Sequence, residues 1–186
     1  MIGAILAGAY GDVAPVGDFE SIATVTVGAG GAANVEFTSI PSSYQHLQIR
    51  GIARNTFAST DINLLTLQFN NDTGSNYARH YVYGNGTSAT SASQTSQTTA
   101  WIGFVPANNT TANSFSAFVC DILDYGNTNK NTTLRSLSGS DLNGSGELFL
   151  ISALWSNTAA ISSIKLASSS QNLAQYSHFA LYGIKG

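Results

Sequence analysis

The stretch His178–Ile184 reads HFALYGI and sits next to the last residues of the sequence. In an extended strand, successive side chains point to opposite faces. Phe179 and Leu181 then lie on one side, and Ala180, Tyr182 and Ile184 on the other. Terminal residues are ordinarily polar and weakly held, so a final strand that is apolar on both faces needs neighbours. An unpaired strand edge is also a liability in a sheet protein. The stretch therefore predicts a strand laid centrally in a sheet, or at least paired with the first strand.

Working outward, the same period of two recurs along the chain, separated by Gly, Asn, Asp and Ser clusters. Strands are predicted over 19–27 (FESIATVTV), 34–37 (NVEF), 46–54 (HLQIRGIAR), 64–69 (LLTLQF), 78–83 (ARHYVY) and 99–105 (TAWIGFV). Further strands are predicted over 114–123 (SFSAFVCDIL), 132–138 (TTLRSLS), 147–155 (ELFLISALW), 161–167 (ISSIKLA) and 178–184. The turn GAGGA at 28–32 predicts a hairpin between the first two, and the Asn85-Gly86 and Asn143-Gly144 steps are further hairpin signals. No segment carries a helical period. The segment 89–100 (ATSASQTSQTTA) has no apolar face and reads as a mobile surface loop. The expected fold is all-β: an antiparallel, jelly-roll-like sandwich of two sheets.

Composition agrees with one such domain. At 186 residues the chain can bury a core without disulfide or metal. Charged residues are only 9%, against roughly 25% in ordinary domains, and Ser, Thr and Asn make up nearly a third of the chain. The net charge is −3 and the arginines are scattered, which argues against a nucleic-acid partner. No run approaches the length of a membrane span, so no membrane partner is expected. Low charge permits close approach of many copies, or of another protein surface.

Residues 1–17 (MIGAILAGAYGDVAPVG) precede the sandwich pattern, which occupies 18–186. The segment lacks the positive n-region of a secretory signal, and its apolar run is short. Met1, Ile2, Ile5, Leu6, Tyr10, Val13 and Val16 form an apolar ribbon interrupted by glycines, and apolar side chains outside a core must be buried against something. Two readings stand: a strand packed on its own domain, or an N-terminal arm that docks into a neighbouring subunit.

The chain offers little chemistry. His46, His80 and His178 have no metal-ligand spacing, and the motifs of nucleophilic, zinc-dependent or phosphate-binding enzymes do not occur. Asp121 and Asp124 lie three apart at the end of one strand rather than across a cleft. Cys120 reads as a small buried hydrophobe. The loop 69–77 (FNNDTGSNY) offers oxygens to a calcium ion, but it supplies one carboxylate, and an Asx-turn explains it more simply. No catalytic, metal or cofactor-binding residue is assigned. Tyr81, Tyr83, Trp101, Tyr125 and Trp155 lie near amide- and hydroxyl-rich loops and are candidate glycan-contacting or interface aromatics.

Six phrases carry a resemblance: ESIATVTVGAGG (20–31), IPSSYQHLQIRGIAR (40–54), LQFNNDTGSNYARH (67–80), DILDYGNTNKNTTLRSLSG (121–139), LWSNTAAISSIKL (154–166) and SHFALYGIKG (177–186). In this order they resemble a group of structural, tail-fibre or decoration proteins of tailed-bacteriophage virions. The resemblance runs from about Phe19 onward and leaves residues 1–17 outside. It implies a β-sandwich module without catalytic residues or cofactor, located in the virion after assembly in the host cytoplasm. Its partners would be other capsid or tail proteins and further copies of itself, with a trimer favoured. The single compact domain, without shaft, heptads or repeats, favours a capsid decoration protein held by its arm. The other reading is a tail fibre or receptor-binding protein that recognises host surface glycan.

Overall fold

The computed structural model describes residues 17–186. The arm residues Met1, Ile2, Ile5, Leu6, Tyr10, Val13 and Val16 lie outside the described residues. Twelve strands follow in order: β1 (Phe19–Thr26), β2 (Val35–Phe37), β3 (His46–Ala53), β4 (Ile62–Phe69), β5 (Tyr77–Gly84), β6 (Ala89–Gln97), β7 (Ala100–Pro106), β8 (Ser116–Leu123), β9 (Thr132–Asp141), β10 (Gly146–Trp155), β11 (Ile164–Ser168) and β12 (His178–Ile184). They form an eight-stranded sheet, ordered β1-β12-β3-β8-β9-β10-β5-β6, and a four-stranded sheet, ordered β2-β11-β4-β7. The pairings within both sheets are antiparallel. The fold is the two-sheet sandwich that the alternation predicts, with unequal sheets.

The last strand sits where its two apolar faces require. β12 pairs with β1 on one side and β3 on the other, and Leu181 lies between Ala23 and Ile49. Phe179 and Leu181 are fully buried. Leu47 and Ile49 of β3, Cys120 and Ile122 of β8, and Leu65, Leu67 and Phe69 of β4 complete the centre of the core without exposure. Burying each large side chain is worth roughly 1.5–3 kcal/mol before the cost of ordering the chain.

Small residues set the distance between the sheets where β7 crosses β9. The inward positions of β9 include Ser136, Ser138 and Ser140, all buried. Ser136 Oγ donates to the Ile102 carbonyl of β7 at 2.5 Å. A Cβ on Gly103 would stand 2.7 Å from Ser138 Cβ, closer than packed atoms tolerate. A register shift between Leu65 and Thr66 leaves Ile102 as the extra residue of a bulge, and Ile102 is fully buried.

Two readings of the sequence are corrected. The segment 89–100 is not a loop: Ala89–Gln97 is strand β6, paired with β5 from Gly84↔Ala89 to Arg79↔Gln94. It lacks apolar alternation because it lies at a sheet edge with eight of its nine residues exposed; the Asn85-Gly86 turn was the informative signal. The chains flanking GAGGA also do not form a hairpin. β1 belongs to the large sheet and β2 to the small one. The connection crosses between them, held by reciprocal backbone hydrogen bonds of Ala32 and Leu173. The Asn143-Gly144 step does form a hairpin turn, with both residues at positive φ, between β9 and β10.

Candidate functional site

The large sheet buries one face and leaves the other to solvent. On that outer face the register aligns the strands into rows. One row runs Ala180, Arg50, Val119, Leu137, Leu150, Val82 from β12 to β5. Leu148 and Ile52 stand one rung beside it. Of the eight large hydrophobic side chains exposed among the described residues, seven belong to this face: Phe19, Ile52, Val82, Leu123, Leu137, Leu148 and Leu150. The eighth is Tyr176 in a loop. The row crosses six strands about 4.8 Å apart and so spans roughly 24 Å, which gathers on one face apolar side chains that an ordinary surface scatters singly.

A polar row, Gln48, Asp121 and Arg135, runs along one side of the stripe, and Arg50 stands within the stripe itself. Gln48 Nε2 donates to Asp121 Oδ1 at 2.6 Å, and the Arg135 guanidinium reaches Asp121 Oδ2 at 3.2 Å. Arg50 Nε donates to Gln48 Oε1 at 2.5 Å, and its guanidinium lies 4.9 Å from the Phe19 ring and 5.7 Å from that of Tyr182. Phe19 and Tyr182 are stacked at 4.7 Å. Asp121 and Arg135 are thereby paired, Arg50 is held by neutral partners, and the leucines and valines of the row are left without a partner.

The candidate aromatics divide in two. Tyr81, Tyr83 and Trp101 are half-buried and come together with Phe104 and Phe149. The five rings close a circuit, with Phe104 and Phe149 stacked at 4.3 Å and Tyr83 and Phe149 at 5.0 Å. The circuit fills the gap where the small sheet ends at β7 while the large sheet continues into β5 and β6. Tyr125 and Trp155 are only 1% exposed and belong to the core instead. The Tyr125 hydroxyl donates to the Pro41 carbonyl, and Trp155 packs on Phe69 and Tyr77.

Arg79, to which the sequence reading gave no role, underlies the circuit. Its guanidinium lies 3.5 Å from the Trp101 ring centroid. It donates to Gln94 and Gln97 of β6, the latter at 3.1 Å, and to the Thr99 carbonyl at 3.3 Å. Burial pushes its pKa down to about 10, so it remains charged at neutral pH. Arg79 thus ties β6 to β5 and β7.

The remaining polar candidates are engaged separately. Asp124 pairs with Lys130, which is the main reason its carboxyl lies below the usual range. His46 Nδ1 accepts the Asp124 backbone N–H at 2.9 Å. His178 Nδ1 lies 2.9 Å from Thr26 Oγ1, and His80 is exposed on the outer face. In the loop 69–77, Asp72 accepts hydrogen bonds from Gly74 N, Asn76 Nδ2 and Trp155 Nε1, the arrangement of an Asx-turn. Among the described residues no three His, Cys, Asp or Glu side chains are grouped to hold a metal, and no helix is long and apolar enough to cross a membrane.

Comparison of the chain with protein-family models, with curated proteins and with solved structures finds no match.

Proposed function

We propose that this chain is a non-enzymatic structural module of a tailed-bacteriophage virion, a decoration protein seated on the capsid. The observation that carries the reading is the outer face of the large sheet. It gathers seven exposed large hydrophobics on one surface, while Asp121 is paired with Arg135 and Arg50 is held by Gln48 and the Phe19 and Tyr182 rings. Such a surface is suited to lying against another protein. The phage-like phrases of the sequence supply the setting, and the apolar ribbon of residues 1–17 supplies a second anchor in the same reading.

The second reading, a tail protein that contacts host surface glycan, draws on the half-buried rings of Tyr81, Tyr83 and Trp101. The two differ in location and copy number. Gold-labelled protein imaged on particles would decorate the head in many copies under the first reading, and the tail in few under the second. Label on neither structure would end both.

A further inference from the structure

The two sheets have four edge strands, and three carry recognised guards against pairing with another chain. β2 is three residues long and contains Glu36. β7 has a bulge at Ile102 and ends on Pro106. β1 is interrupted by a register shift between Ser21 and Ala23, and its Glu20 is held by Lys185 and Tyr44. β6 is different. It is nine residues long, with no charge and no proline. From Ala89 to Gln94 its pairing to β5 runs without interruption, and the shift comes only beyond, where Ser96 has positive φ.

β6 also adds almost nothing to the core, since eight of its nine residues are exposed. It is nevertheless held in place by the buried guanidinium of Arg79, through Gln94 and Gln97. A six-residue uninterrupted edge turns about half of its backbone N–H and C=O groups outward. Its side chains there are Ala, Thr, Ser and Gln, none large or charged enough to obstruct an incoming strand.

We infer that Ala89–Gln94 pairs antiparallel with the same segment of a second copy, joining two large sheets into one continuous sheet across a two-fold axis. The partner is a second copy because the edge suits itself. Antiparallel pairing of identical strands is the isologous contact of a two-fold dimer. It places no like charges in opposition here, and it matches small residues to small residues on both faces. The axis stands perpendicular to the sheet, so both outer faces point the same way. The two apolar stripes, which run from Ala180 to Val82 in each copy, then flank the junction and form one surface. The inference stands apart from the virion reading and needs only this edge.

The same-face registers compatible with this axis centre on Ser91 or on Ala92. In either, Ser91 and Ser93 of one copy lie directly or diagonally beside those of the other, within the reach of cross-strand pairs. Sedimentation equilibrium of the full chain should show a dimer. The double variants S91K/S93K and S91E/S93E should each be folded monomers whose melting no longer depends on protein concentration, and their equimolar mixture should recover a dimer. The outer-face variant L137S/L150S should remain dimeric. Should a double variant melt early, the single S91K and S91E proteins carry the same test. A wild-type monomer, a trimer, or a dimer that survives both charged variants would overturn the inference. So would a dimer lost in L137S/L150S, which would place the contact on the face.

Discussion

Trp155 Nε1 donates to Asp72 Oδ2 at 2.7 Å, joining the end of β10 to the loop that leads into β5. Burial raises the Asp72 pKa, but hydrogen bonds from Asn76, Trp155, Gly74 and Asn157 outweigh it and hold the carboxyl below its usual range. Replacing Asp72 with Ala leaves a buried indole N–H unpaired, at a cost of about 1–3 kcal/mol. A group depressed in the folded state contributes stability above its unfolded pKa and loses it as pH falls through the folded value. Urea melts should therefore show a full gap between wild type and D72A at neutral pH. The gap should begin to narrow below about pH 4.

Both Asp72 oxygens already accept internal donors. Adding calcium, or removing it with chelator, should leave the melting temperature unchanged. A calcium-dependent rise in melting would show that the loop opens to take a cation instead.

Gly103 of the small sheet packs directly against Ser138 of the large one, with no room for a Cβ between them. G103A inserts a methyl group into that contact and should cost about 1–3 kcal/mol. Ser138 Oγ is buried without a hydrogen-bond partner, so S138G loses no bond. A double-mutant cycle should show S138G relieving part of the G103A penalty, with coupling above about 0.5 kcal/mol. Additive effects would mean that the strain lies elsewhere.

Leu137 and Leu150 are about half exposed and paired across β9 and β10. L137S/L150S should shift the stability of the isolated protein by no more than about 0.5 kcal/mol per site. Co-sedimentation with particles lacking the native copy should nevertheless fall. Undiminished binding would remove the outer face from the docking reading.

Arg79 holds β6 by a planar fork against Trp101. R79K keeps a charge but cannot serve both Gln94 and Gln97 while lying flat on the ring. Hydrogen exchange should quicken at Ala89–Gln97 in R79A and R79K, while β3 and β12 remain protected. Uniform quickening would mean that Arg79 supports the whole sandwich rather than the edge.

Most of the fold was legible because its strands alternate: Phe179 and Leu181, or Leu47 and Ile49, announce the inward face directly. β6 was not, because an edge strand that faces water on both sides carries no hydrophobic code. The pairing of β2 was hidden for another reason. A glycine-rich turn fixes a local reversal, but only the bridge between Ala32 and Leu173, distant in sequence, decides which sheet the chain enters. The site was legible in part. Tyr81, Tyr83 and Trp101 do meet, whereas Tyr125 and Trp155 resemble them in sequence and differ only in burial. The outer stripe is not legible in the sequence because each strand contributes one or two apolar residues, and registration across six strands makes them a surface.

The position of β12 gives the molecule a mechanical grain. Phe19 lies opposite Ile184, and Thr26 opposite His178. Lys185 N also bonds to the Asp18 carbonyl at 2.9 Å. The described chain therefore enters and leaves at the same end of one strand pair. Tension applied through Asp18 and Lys185 would peel β1 from β12 rung by rung, so that each hydrogen bond meets the load alone. A push or shear delivered across the broad sheet is instead shared by eight strands at once. The protein is weak as a tether and strong as a plate.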